Sequence, residues 1–133
     1  MGFYVVNQVI KLMNQKNITV IDSNILIMGF TFKENCPDIR NTRVIDIVNG
    51  LNKNNCNVDV YDPWVNKEEA NSEYDLKLIS QPLKAKYDAV IFAVAHNEFK
   101  KMGISNIRKL GKNNQLIYDL KYLFSAEETD LRL

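Results

Sequence analysis

Two apolar runs constrain this chain more than any other feature. Ile25-Leu26-Ile27-Met28-Gly29-Phe30 and Ala89-Val90-Ile91-Phe92-Ala93-Val94 carry almost no polar side chain. A strand with one solvated face alternates apolar and polar residues, whereas a strand covered on both faces does not. Both runs therefore read as buried strands of a parallel sheet. Asn57–Tyr61 is a further strand, stopped by Asp62-Pro63. Gln115–Asp119 reads as another, and Leu76–Ser80 as a weaker one.

Helical patterns separate these strands. Residues 3–16 place Val5, Val6, Val9, Ile10, Leu12 and Met13 on one broad apolar face. Thr42 is placed to cap a helix running to about Asn54, with Val44, Ile45, Ile47, Val48 and Leu51 buried. His96–Phe99 and Ile104–Leu110 open shorter helical stretches, and Gly111 fits a helix stop. Strands alternating with helices imply right-handed crossovers and helices on both faces. The expectation is an α/β, Rossmann-like three-layer sandwich preceded by an N-terminal helix. Its mostly parallel five-stranded sheet would have the order 3-2-1-4-5, counting strands along the chain.

With 133 residues there is enough chain for one domain with its own core. Net charge is +1, from 17 basic and 16 acidic residues, so neither nucleic acid nor an anionic membrane is attracted in general. Any anion site must be local. No apolar run approaches the roughly 20 residues of a membrane span, and Met1–Gln8 does not read as a signal peptide. Cys36 and Cys56 are then expected to be free thiols in a cytoplasmic protein.

In that strand order, the loop Gly29–Thr42 lies at the carboxyl end of the first strand, beside a topological switch point. Open α/β sheets place ligands there. Lys33 and Arg40 both suit phosphate, one as a point charge and one as a paired-donor clamp. His96 and Lys121 follow the neighbouring strands, so the four side chains could converge on one ligand, although a lone histidine more often serves a local role. Asp38 either pairs with Arg40 or caps the following helix.

Gly29 is the only glycine in this loop, so the backbone lacks the GxGxxG approach to a pyrophosphate. Asp62 lies too far on for a ribose carboxylate and reads as a strand-ending turn. Cys36 has no base beside it in sequence, and two cysteines with one histidine lack zinc-site spacing.

The segment Gly29-Phe30-Thr31-Phe32-Lys33-Glu34-Asn35-Cys36-Pro37-Asp38-Ile39-Arg40-Asn41-Thr42 resembles the signature of the UDP-glucose/GDP-mannose dehydrogenase family, in its C-terminal domain. Tyr61–Trp64, Tyr87–Val90, Ala95–Phe99 and Ile117–Lys121 agree with it, in order and over essentially the whole chain. The resemblance leans to the branch that oxidises UDP-N-acetylhexosamines for bacterial surface polysaccharide.

That resemblance implies an NAD-dependent enzyme, a homo-oligomer, that oxidises a sugar C6 alcohol twice to a uronic acid. It implies residues 1–22 as the end of an interdomain helix with its connector, and 23–133 as the UDP-sugar-binding domain. Phe32 and Lys33 fall on nucleotide-sugar contacts. Lys121 falls where many members carry a substrate-binding arginine, and Arg40 on the arginine that reaches the NAD pyrophosphate from across a cleft. The family's catalytic cysteine segment has no counterpart here, so Cys36 does not inherit that role. The chain alone would be inactive, and its helix 3–13 would expose an apolar face that favours self-association. The rival reading is a stand-alone Rossmann-like nucleotide-binding or regulatory module with no chemistry.

Overall fold

The computed structural model describes residues 2–132. Along the chain run α1 (Gly2–Gln15), β1 (Asn24–Met28), α2 (Val44–Lys53), β2 (Asn57–Tyr61), α3 (Lys67–Tyr74) and β3 (Tyr87–Phe92). They are followed by α4 (Asn97–Met102), α5 (Ile104–Arg108), β4 (Gly111–Asp119), a 3-10 turn (Ala126–Glu128) and β5 (Leu131–Arg132). The sheet has five strands in the order β2-β1-β3-β4-β5, and every pairing is parallel.

Strand alternation divides the core into two layers. Ile25, Ile27, Ala89, Ile91, Leu116 and Tyr118 face α1 and α2. Leu26, Met28, Val90, Phe92 and Ile117 face the side where Phe99 of α4 and Ile107 of α5 pack. All of β3 is buried, which is why its sequence shows no alternation. This is the expected three-layer sandwich.

The two sheet edges differ from expectation. Leu76–Ser80 passes beside β2 but makes only one ladder-like bond, Ile79 N–H to the Val60 carbonyl at 3.0 Å. Pro82, which has no N–H, follows two residues after Ser80. The fifth strand is instead Leu131–Arg132, in a tail that reads as polar. Asp130 delivers it there. Its carboxylate accepts from Ile117 N at 2.7 Å and pairs with Lys16 at 3.0 Å and Arg108 at 3.3 Å. The fourth strand also starts earlier than expected, at Gly111, which is therefore not a helix stop.

Val5, Val6, Val9 and Met13 of α1 are buried in the same cluster as Val44, Ile47, Val48 and Leu51 of α2. Gly50 permits the approach, since a Cβ there would lie 2.7 Å from Val6 Cγ2. The apolar stripe of α1 is thus covered by its own domain, and Val5, Val6, Val9 and Met13 of the face expected to be exposed at 3–13 are buried. Among the large apolar side chains of the helix only Phe3 and Tyr4 are exposed. Among the described residues no helix is long and apolar enough to cross a membrane.

Candidate functional site

The β1–α2 loop leaves the sheet through Gly29, whose φ is +102°. A Cβ at that position would sit 2.6 Å from Val94 Cβ, so the loop and the segment after β3 run in direct contact. Thr31 follows, buried at 1% exposure, and its hydroxyl donates to the Lys33 carbonyl at 2.9 Å. Further on, Phe32 N–H closes the loop onto the Asp38 carbonyl at 2.8 Å. Ile39 anchors the far side, buried at 1% exposure, with its carbonyl accepting from Tyr74 OH at 2.6 Å.

Asp62 and His96 hold this loop from below. Asp62 Oδ2 accepts from Phe30 N at 2.7 Å, Thr31 N at 3.1 Å and His96 Nε2 at 2.9 Å. Its Oδ1 accepts from Trp64 N at 2.8 Å. His96 Nδ1 accepts from Asn35 N at 2.9 Å, so Nε2 carries the ring proton. Both His96 and the Asp62 side chain are fully buried. Asn35 returns the connection by accepting from Asn97 N, the first residue of α4, at 3.0 Å.

A pocket of about 360 Å³ opens above these groups, at the carboxyl ends of β1, β3 and β4. Phe32, Lys33, Arg43, Val44, Leu120 and Lys121 are among its walls. Phe32 stands at its lip with 61% exposure. Three cations, Lys33, Arg43 and Lys121, face one acid, Glu34, beside the N-terminus of the ten-residue α2. Unpaired N–H groups and the helix dipole favour an anion at such a terminus. Thr42 does not cap this helix as expected: Arg43 holds the N-cap position without a side-chain cap bond, and Thr42, one residue earlier, only accepts from Val44 N through Oγ1 at 3.3 Å. Chemically the pocket offers cationic and apolar walls with one exposed aromatic face. That suits a phosphorylated ligand carrying a flat group.

The sequence-derived residues divide in space. Phe32, Lys33 and Lys121 share the pocket. Arg40 is not among its walls; its side chain is 84% exposed and its guanidinium clamps Asp38 through Nε–Oδ1 at 3.0 Å and NH2–Oδ2 at 3.1 Å. That paired bond lowers the Asp38 pKa and raises that of Arg40. His96 does not face a ligand at all, because it lies at 0% exposure beneath the loop. Arg43 was not anticipated, although its position just before an expected helix places it at that helix's mouth.

Neither cysteine is placed for chemistry. Cys36 is half-buried, and both ring nitrogens of the one histidine already have partners. Burial pushes the Cys56 thiol up in pKa, and its Sγ donates to the Val20 carbonyl at 3.6 Å. Among the described residues no cluster of His, Cys, Asp or Glu could hold a metal ion.

Comparison with known proteins agrees with this geometry. UDP-N-acetyl-D-glucosamine 6-dehydrogenases of Salmonella typhi and Pseudomonas aeruginosa are each 53% identical to the chain over 133 residues, all of its length. The chain spans 31% and 32% of those two relatives. Among solved structures, the UDP-D-ManNAc dehydrogenase of Pyrococcus horikoshii superimposes with a TM-score of 0.78 at 19% identity, over 98% of this chain and 30% of its own. The NDP-N-acetyl-D-galactosaminuronic acid dehydrogenase of Methanosarcina mazei does so with a TM-score of 0.79 at 18% identity, over 95% and 26%. Both share the fold. The profile of the UDP-glucose/GDP-mannose dehydrogenase family, UDP binding domain, matches residues 26–126, and the chain belongs to that family.

Proposed function

We propose that this chain is the nucleotide-sugar-binding part of an NAD-dependent UDP-N-acetylhexosamine 6-dehydrogenase. In this reading residues 23–133 are the C-terminal UDP-sugar domain, and 1–22 are the end of an interdomain helix with its connector. The carrying observation is the pocket in which Lys33, Arg43 and Lys121 surround the N-terminus of α2, with Phe32 at the lip. Lys33 and Lys121 neutralise the diphosphate, and the Phe32 ring offers a stacking face to the base. The identity to UDP-N-acetyl-D-glucosamine 6-dehydrogenases supports an N-acetylhexosamine as the sugar and weighs against a stand-alone module.

The residues here do not fit NAD bound in this domain's own crevice. Gly29 is pressed against Val94, and the Asp62 carboxylate that ends β2 is fully engaged by N–H donors. In our reading another domain of the parent holds NAD, and the exposed Arg40 reaches toward its pyrophosphate. The parent is a cytoplasmic homo-oligomer that makes UDP-uronic acids for bacterial surface polysaccharide.

Titration calorimetry with UDP tests the reading. Weak, saturable binding is expected, reduced about tenfold in each of Lys33→Ala and Lys121→Ala, the scale of one charged contact. UDP binding that both variants left unchanged would overturn the assignment of the pocket.

A further inference from the structure

The family's site residues account for Phe32 and Lys33 but not for what holds them. Neither side chain is fixed by its own packing, since both are exposed. Their backbone is held from beneath by a relay that runs across three strand ends. His96 Nε2–H lies 2.9 Å from Asp62 Oδ2 and 3.1 Å from Thr31 Oγ1. The Thr31 hydroxyl gives its own proton to the Lys33 carbonyl, so it can only accept from the histidine. On the other side of the ring, Nδ1 accepts the Asn35 N–H. One imidazole thus fixes the residues on both sides of the Phe32-Lys33-Glu34 segment.

Each partner in the relay has only one workable polarity. Asp62 receives N–H donors alone, so an ionised carboxylate satisfies all of them and an amide does not. With Asn35 N–H pointing at Nδ1, the ring must hold its proton on Nε2. Trp64 stacks over the imidazole at 6.0 Å and 27°, and its indole N–H donates to Glu98 Oε1 at 3.1 Å. The indole covers the relay and ties α4 to the chain after β2.

Resting on the nucleotide-sugar reading above, we propose that His96 is a positioning residue. Held by Asp62, it sets the place of Lys33 and Phe32 through Thr31 and Asn35 without touching the ligand. The acid that closes β2 thereby organises a neighbouring strand's loop.

The test uses this chain and two variants. In ¹⁵N spectra of the wild type, His96 should show a protonated Nε2 and a bare Nδ1. His96→Gln keeps a donor near the Nε2 position but cannot also accept from Asn35. Asn35→Gly retains the left-handed backbone, whose φ is 54°, and removes only the side-chain link to α4. Both variants should speed amide exchange of Phe32 and Lys33. UDP affinity should fall about tenfold in His96→Gln, as for one lost buried hydrogen bond, and severalfold in Asn35→Gly at unchanged melting temperature. Wild-type exchange rates at Phe32 and Lys33 in both variants would overturn the proposal, as would a proton on Nδ1. Faster exchange with unaltered UDP affinity would overturn it too. A wild-type chain that bound no UDP would instead overturn the nucleotide reading, and the exchange rates would still decide the role of His96.

Discussion

Asp62 accepts from Phe30 N, Thr31 N, Trp64 N and His96 Nε2, all donors, while its side chain is wholly buried. Asp62→Asn would turn an NH₂ toward at least one of them. A buried group left unsatisfied costs about 1 to 3 kcal/mol, more where charge is involved. We expect Asp62→Asn to lower stability by about 3 kcal/mol, read from urea unfolding midpoints. Gly29→Ala faces a different obstacle: a positive φ and a Cβ 2.6 Å from Val94 Cβ. Strain and overpacking together make about 3 kcal/mol the expected loss, measurable in the same way. Of these two residues the sequence made the local role of Asp62 legible, as the end of a strand. Its wider role needed the order β2-β1-β3, which brings Asp62, Thr31 and His96 to one place. For the same reason the sequence leaves His96 open between a ligand contact and a local role: its place after β3 is visible there, and its burial is not.

The helices and inner strands follow from periodicity because each buries a stripe or both faces. Met13 of α1 is fully buried in the cluster shared with α2. Met13→Ala should therefore cost about 3 kcal/mol, seen as a lower melting temperature; an unchanged value would mean that α1 does not dock on α2. The edges were less legible because single contacts decide them. Asp130 recruits Leu131–Arg132 to β4, and Ile79 is all that holds the segment outside β2 to its ladder. No hydrophobic pattern records either contact. At the opposite end of the sheet, burial and then the bond to Asp59 Oδ2, at 2.8 Å, raise the Tyr87 phenol above its ordinary pKa. The unfolded chain thus loses this proton first as pH rises. The stabilising effect is complete below about pH 10, the unfolded tyrosine value, and declines above it. Cys56, raised by burial, adds a decline of the same sign beginning near pH 9, its ordinary value. Urea midpoints between pH 8 and 11 should fall in the wild type. They should fall less steeply in Tyr87→Phe, which also loses about 1 kcal/mol at neutral pH.

At the scale of the molecule, the loop after β1 belongs to a Rossmann-like sheet that does not present a dinucleotide cradle. Its glycine lies against Val94, its acid secures backbone, and its cations face a pocket at the mouth of α2. These features support the proposed reading, in which this domain binds a nucleotide sugar and a different domain of the parent supplies the cofactor. The chain spans under a third of the curated relatives it matches. Mixed with NAD and UDP-N-acetylglucosamine, it should generate no NADH absorbance at 340 nm, and steady NADH formation would contradict that division of labour.

The most direct test of the central claim is a ¹H–¹⁵N titration of the chain with UDP. The largest shifts should fall on residues 31–34, 41–44, 47, 93–95 and 120–121, which wall the pocket. Shifts confined to residues 17–23 and 112–114, around the polar hollow of about 520 Å³ that Asp88 and Lys112 help line, would contradict it.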